Sequence, residues 1–234
     1  MMDKIFSIIK ISYNLGHTRI QYGSCGTCFF INKQEFVTAE HCFNETSFQP
    51  NPGLDHYKIF LAGENGKIIL DPQIKNSYKD YDLAIGRVTE EVAYFSSDDF
   101  LEDKFLPGDE VFNIGFPEQE TIRNFNYQFL NGRLIINNIV VESQKQKGKI
   151  DEIKKETYDR PNDRIRIVNK TLIILNYTSY TGFSGGPLFY KNTNQIIGFM
   201  SLLPHGHSIP INLRDRDVKN RVRAVPLFEI KHLL

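Results

Sequence analysis

The chain has 234 residues, 41% of them hydrophobic and 24% charged, with 28 Lys and Arg set against 28 Asp and Glu. That composition excludes the disordered and fibrous classes and leaves ample chain to bury a core. A formal net charge of +0 offers no basic excess to nucleic acid or to an acidic membrane surface, and no apolar run approaches the roughly 20 residues that span a bilayer.

The chain opens with MMDKIFSIIKIS, whose apolar stretch is short, is broken by Lys10 and is followed by no small-residue cleavage site. It therefore reads as a first strand and not as a signal peptide, and a cytoplasmic location is expected. Short runs rich in Ile, Val, Phe and Tyr then recur between turn formers: 5–11, 28–31, 35–39, 57–62, 67–70 and 82–88 in the first half. The second half continues with 110–115, 132–142, 170–177, 186–190, 195–202 and 221–227. Each reads as a strand, and strands at this spacing make an all-β barrel or sandwich. Helical period is confined to the terminal PLFEIKHLL, where Leu227, Ile230 and Leu234 share a face. Residues 143–166 are dense in charge and poor in large apolar groups, which predicts a solvated hairpin tip or loop, with a docking loop as the sharper alternative. The segment near 98–108 divides the strands into two halves.

Cys25, Cys28 and Cys42 are odd in number, so one thiol has no partner within the chain. Cys25 and Cys28 form a C-x-x-C inside a strand-like run, with no second pair at zinc spacing. Structural thiols are the expected reading, and no metal or cofactor is implied.

The chemistry is concentrated in Gly182-Phe183-Ser184-Gly185-Gly186-Pro187. A serine hydroxyl attacks a carbonyl only when a base removes its proton and donors meet the developing oxyanion. Glycines around the serine let the backbone turn so that the N–H groups of Gly182 and Ser184 converge. Taken alone, such a segment is equally well a tight turn between strands. Two further segments change the reading. Val37-Thr38-Ala39-Glu40-His41-Cys42 ends a strand on a histidine, and Tyr81-Asp82-Leu83-Ala84-Ile85 sets a carboxylate just ahead of an apolar strand.

T-A-E-H-C, D-L-A-I and G-F-S-G-G-P, in that order, resemble the three signature segments of the chymotrypsin/trypsin clan, closest to HtrA-like and other trypsin-like peptidase domains of bacteria. S-I-I-K-I (7–11), C-G-T-C-F-F-I (25–31), G-D-E-V-F-N-I-G-F-P (108–117) and A-V-P-L (224–227) extend the likeness over nearly the whole chain. The resemblance implies a single peptidase domain over 1–234, built from two six-stranded antiparallel β-barrels at about 1–100 and 105–226 with a short C-terminal helix at about 227–234. It gives the roles of base, orienter and nucleophile to His41, Asp82 and Ser184. Asp80 is a rival carboxylate, but D-L-A selects Asp82. The expected activity is serine endopeptidase through an acyl-enzyme, on a specific protein target within the cell and under a regulatory partner.

Several departures from the clan matter. Phe183 stands where digestive enzymes carry the aspartate that pairs with a newly cut N-terminus, no long pro-segment precedes the first strand, and no PDZ domain is expected after the last. Glu40 adds a charge beside His41. By the same resemblance the pocket floor comes from Thr178, Ser179 and Tyr180, which hold no acidic residue to attract Arg or Lys. The strand Phe199-Met200-Ser201-Leu202-Leu203 lacks the histidine of glutamyl endopeptidases. Leu202 or Leu203 narrows the pocket, so a small or medium uncharged side chain is expected, with the backbone of Ser201, Leu202 and Leu203 pairing with an extended peptide.

Two other readings fit parts of the pattern. Gly182-x-Ser184-x-Gly186 also suits the nucleophile elbow of an α/β-hydrolase, with Asp215 or Asp217 and His232 completing it, but strands here do not alternate with long helices. A catalytically silent module could keep the fold to hold peptides or a partner.

Overall fold

The computed structural model describes residues 1–14, 16, 20–43, 54, 56–102, 104–117, 121–131, 133–160, 165–177, 179, 181–202 and 222–234. Seven strands form the first sheet: β1 (Ile5–Tyr13), β2 (Ile20–Phe30), β3 (Glu35–Ala39), β4 (His56–Ala62), β5 (Ile68–Leu70), β6 (Gln73–Tyr78) and β7 (Leu83–Arg87). They are ordered β5-β4-β1-β2-β3-β7-β6. In the second half β8 (Glu110–Gly115), β11 (Gln144–Arg160), β12 (Ile165–Leu175), β13 (Pro187–Tyr190), β14 (Ile196–Leu202) and β15 (Arg223–Pro226) close into a six-stranded barrel. A separate hairpin, β9 (Ile122–Leu130) and β10 (Arg133–Val141), is inserted between β8 and β11. The chain ends in one helical turn, α1 (Leu227–Ile230). The all-β, chymotrypsin-like architecture expected from the sequence is thus present, with seven strands in the first sheet in place of six.

Burial explains the strand positions. All nine residues of β1 are buried, Lys10 among them, because β1 lies in the middle of its sheet with cover on both faces. The second barrel is filled by its own cluster, including Val111, Ile150, Leu188, Ile197, Met200, Val222 and Ala224. On β8 the alternate residues Phe112 and Ile114 belong instead to the larger core shared with the first sheet. Rings join the two halves: Phe112 stacks on Phe189 at 4.8 Å, Phe189 meets Phe95 at 5.9 Å, and Phe95 meets Phe29 at 6.2 Å. Each fully buried ring contributes roughly 1.5–3 kcal/mol relative to exposure.

Two expectations need correction, and one strand has no counterpart among them. Residues 144–160 of the charged stretch are no loop; they form β11, which pairs with β8 and β12. Its charges lie on a half-exposed sheet face while Ile150 anchors the buried one. Leu234 does not share the buried face of Leu227 and Ile230, because the helix tightens into a 3-10 turn at Lys231–Leu233 and leaves Leu234 exposed. Finally, β9 has no long apolar run to announce it. Its Phe125, Tyr127 and Phe129 alternate with exposed polar residues, and Phe125 and Phe129 pack on Tyr22 and Tyr13 of the first sheet.

Candidate active site

The base and its carboxylate come from neighbouring strands of the first sheet. β3 ends at Ala39, whose register partner is Leu83, the first residue of β7. The chain leaves β3 through a 3-10 turn, Glu40–Cys42, and it enters β7 from Asp82, held in the left-handed region at φ 49° and ψ 41°. Aspartate tolerates that conformation better than most residues with a side chain. The two ends then bond to each other: Glu40 N–H donates to the Asp82 carbonyl at 2.9 Å, and His41 N–H donates to Asp82 Oδ1 at 3.1 Å. The imidazole Nδ1 lies 3.0 Å and 2.9 Å from Oδ1 and Oδ2. A carboxylate only accepts, so Nδ1 carries the hydrogen and Nε2 keeps its lone pair.

Asp82 is 2% exposed, and Ser201 on β14 reaches across from the barrel to donate its hydroxyl to Asp82 Oδ2 at 2.7 Å. Asp80, the rival carboxylate, is exposed. Burial works against the charged imidazole of His41, but the charge of Asp82 and its hydrogen bond outweigh it and hold the group well above its ordinary 6.5.

Ser184 is carried by the turn between 181 and 186, whose conformation rests on two glycines with positive φ, Gly182 at 101° and Gly185 at 83°. A Cβ at Gly185 would collide with the Thr27 carbonyl and Thr38 Oγ1. Thr27, on β2, bolts this turn to the first sheet. Its N–H donates to the Ser184 carbonyl at 2.8 Å, and its hydroxyl donates to the Gly182 carbonyl at 2.7 Å while accepting Phe116 N–H at 3.1 Å. Cys42 Sγ also reaches the Ser184 carbonyl, at 3.5 Å. On the barrel side, Gly185 N–H donates to Met200 O and Met200 N–H to Gly186 O, at 2.6 Å and 2.8 Å. The Phe183 carbonyl accepts Gly186 N–H at 3.0 Å. Among the described residues the N–H groups of Gly182 and Ser184 donate to no partner, and no hydrogen bond joins the Ser184 hydroxyl to His41. Such catalytic bonds often close only with substrate bound.

The structure thus brings His41, Asp82 and the Ser184 turn together. Ser201, expected to offer its backbone to a peptide, also turns its hydroxyl onto Asp82. Ser179 is partly buried, and its Oγ has no partner among the described residues. Thr178, Tyr180 and Leu203 lie outside the described residues, and Leu202 is the last residue of β14. Thr27 was not predictable from its own segment, since nothing in C-G-T-C marks that hydroxyl as the bolt for a turn 155 residues later.

The described strand pairs are all antiparallel, which removes the α/β-hydrolase reading. His232 packs edge-on to Tyr81, with ring centres 6.2 Å apart, and Asp215 and Asp217 lie outside the described residues. Cys25, Cys28 and Cys42 are all thiols, and burial raises Cys28 further from ionisation. No group of three His, Cys, Asp or Glu residues among those described is placed to hold a metal ion, and no described helix is long and apolar enough to cross a membrane.

The family described as "Trypsin-like peptidase domain" matches residues 26–199. No curated relative matches the sequence. Among solved structures, the Rv3671c protease of M. tuberculosis in its active form is similar at TM-score 0.60 and 17% identity, over 97% of this chain and 78% of that one. The apo MamO protease domain of Magnetospirillum magneticum is similar at TM-score 0.57 and 15% identity, over 97% and 95%. The HtrA-type protease AlgW, solved with a tripeptide, gives TM-score 0.57 and 14% identity, over 96% of this chain and 56% of that one. At these identities the likeness is one of fold.

Proposed function

This chain belongs to the trypsin-like peptidase domain family, and on that footing we propose that it is a serine endopeptidase acting through an acyl-enzyme on Ser184. The observation that carries the reading is the buried Asp82 carboxylate, bonded at once to the His41 ring, the His41 backbone and the Ser201 hydroxyl. That arrangement fixes one tautomer of His41 and leaves Nε2 as the base.

In the proposed reaction His41 Nε2 takes the Ser184 proton as Oγ attacks the scissile carbonyl. The oxyanion is met by the N–H groups of Gly182 and Ser184. Protonated His41 then gives its proton to the leaving amine, and water, activated by the same nitrogen, releases the acyl group. Oxyanion donors of this kind contribute about 3–4 kcal/mol each when removed singly. An uncharged side chain ahead of the scissile bond suits a floor whose described member is Ser179. The three thiols are in keeping with a reducing, cytoplasmic setting, and a dedicated protein target under a regulatory partner remains part of the proposal.

Labelling with a fluorophosphonate probe tests it. Wild type is expected to label, Ser184→Ala and His41→Ala to lose labelling, and His232→Ala to label as wild type. Folded wild type that takes no label, alone or with peptide substrate, would replace this reading with the silent binding module.

A further inference from the structure

The inner face of β8 carries Val111, Asn113 and Gly115 in alternation. Val111 belongs to the barrel's own core, and Asn113 is paired across the sheet with Leu188, another member of it. At Gly115 the absent side chain makes room for Phe183, whose Cα lies 2.9 Å from where a Cβ would stand. Phe183 directly precedes Ser184, so Asn113 sits one alternation deeper in the barrel than the nucleophile turn, roughly 7 Å along the strand.

Asn113 is 0% exposed. Tyr177 donates its hydroxyl to Asn113 Oδ1 at 2.8 Å, its ring lying where a side chain at Gly148 would stand. Burial raises that phenol further from ionisation, so it stays a donor. Asn113 Nδ2 has no partner among the described residues. Gln146 is the register partner of Asn113 on β11 and therefore shares its face of the sheet, and its buried Oε1 has no partner either. Ser179, two residues beyond Tyr177 and five before Ser184, has a buried Oγ that likewise finds no partner among the described residues. Buried polar groups are almost always hydrogen-bonded, so orphans on two register partners of one barrel face, with a third two residues along the chain from Tyr177, mark a place for a polar ligand.

Resting on the endopeptidase reading, we infer that Asn113, Gln146 and Ser179 form the polar floor of the specificity pocket and receive a side-chain carboxamide, so that the enzyme cleaves after glutamine. The walls are apolar, with Met200, Val222 and Ala224 in the same cluster as Tyr177. A carboxamide offers an acceptor to Asn113 Nδ2 and donors to Gln146 Oε1 and Ser179 Oγ. Glutamate has no donor for Gln146, and leucine meets neither group. Leaving a built polar site unpaired is what makes such pockets reject close analogues. Depth favours glutamine over the shorter asparagine.

The test measures binding and chemistry separately on the full chain. Product-like peptides that differ only in a C-terminal Gln, Glu or Leu are titrated into Ser184→Ala protein, and matching fluorogenic peptides are given to wild type. The Gln peptide is expected to bind at least tenfold more tightly than either of the others, and Asn113→Leu is expected to reverse the Gln-to-Leu order. Equal binding of the three, a preference for Glu or Leu, or no binding at all overturns the inference. Where Asn113→Leu fails to fold, Ser179→Ala and Gln146→Leu are read in its place, each narrowing the Gln preference. Fluorophosphonate labelling separates the two failures: labelled protein without Gln preference loses only the pocket, whereas unlabelled protein loses the endopeptidase reading.

Discussion

The first sheet and the second barrel contribute to the site by opposite means. On the first sheet His41 and Asp82 are fixed by adjacent strand ends in register, so one strained but well-bonded residue, Asp82, orients the base. On the barrel Ser184 rides on a turn that has little regular structure of its own, and much of what holds it is borrowed from Thr27 on the opposite half. The base is positioned mainly by its own unit, with one bond across the seam from Ser201; the nucleophile is positioned by β14 and by the seam. The comparison teaches that changes near the base should act mainly on chemistry, while changes at the seam should act on stability and chemistry together.

The sharpest test is Asp82→Asn. It removes the charge and favours the wrong tautomer, so labelling or turnover should fall by roughly 10⁴ while melting temperature changes little by comparison. Thr27→Val should do the reverse. It leaves the Gly182 carbonyl and Phe116 N–H unpaired in the interior, costing about 2–4 kcal/mol, and thermal unfolding should show this alongside slower labelling. If Thr27→Val slows labelling without lowering stability, the seam is not what holds the turn. Ser201→Ala should cost about 1.5 kcal/mol of catalysis, near tenfold in kcat, with KM unchanged.

pH separates the halves further. The His41 pKa is raised, so its proton must leave before it can act as base, and labelling should climb with pH through a midpoint above 6.5. In Asp82→Asn that midpoint should move down. The same shift favours the folded state below the unfolded pKa of histidine, and that contribution is lost as pH rises through the folded one, so the melting temperature should decline over the range in which labelling increases. The smallest effect belongs to the surface. Lys33→Ala breaks an exposed pair with Glu91 and should alter stability by no more than about 0.5 kcal/mol, with labelling unchanged.

Much of this was legible in the sequence because strand ends and glycine turns leave local marks. T-A-E-H-C, D-L-A-I and G-F-S-G-G-P each carry their geometry within a few residues, and His41 and Asp82 meet as their segments predict. Contacts made between distant segments left no such mark. Ser201 reads as an ordinary strand serine until β14 is laid beside Asp82, and Asn113 reads as a polar break in E-V-F-N-I-G until Tyr177 is folded onto it. The stretch at 143–166 hides its strand because charge density masks alternation, and a strand with one wet face can hold many lysines. β9 is hidden for a related reason, its core-facing aromatic residues being spaced by two between polar ones.

The bolt at Thr27 has a consequence in time. Thr27 leaves the ribosome well before the Gly182 carbonyl it holds, which is made 155 residues later. Contacts of such separation form late, after both units have collapsed and docked. A nascent chain that has completed its first sheet therefore carries His41 and Asp82 already paired, yet has no nucleophile to serve. The seat of Ser184 needs contacts from the second half, so the growing chain stays chemically inert until that half is in place.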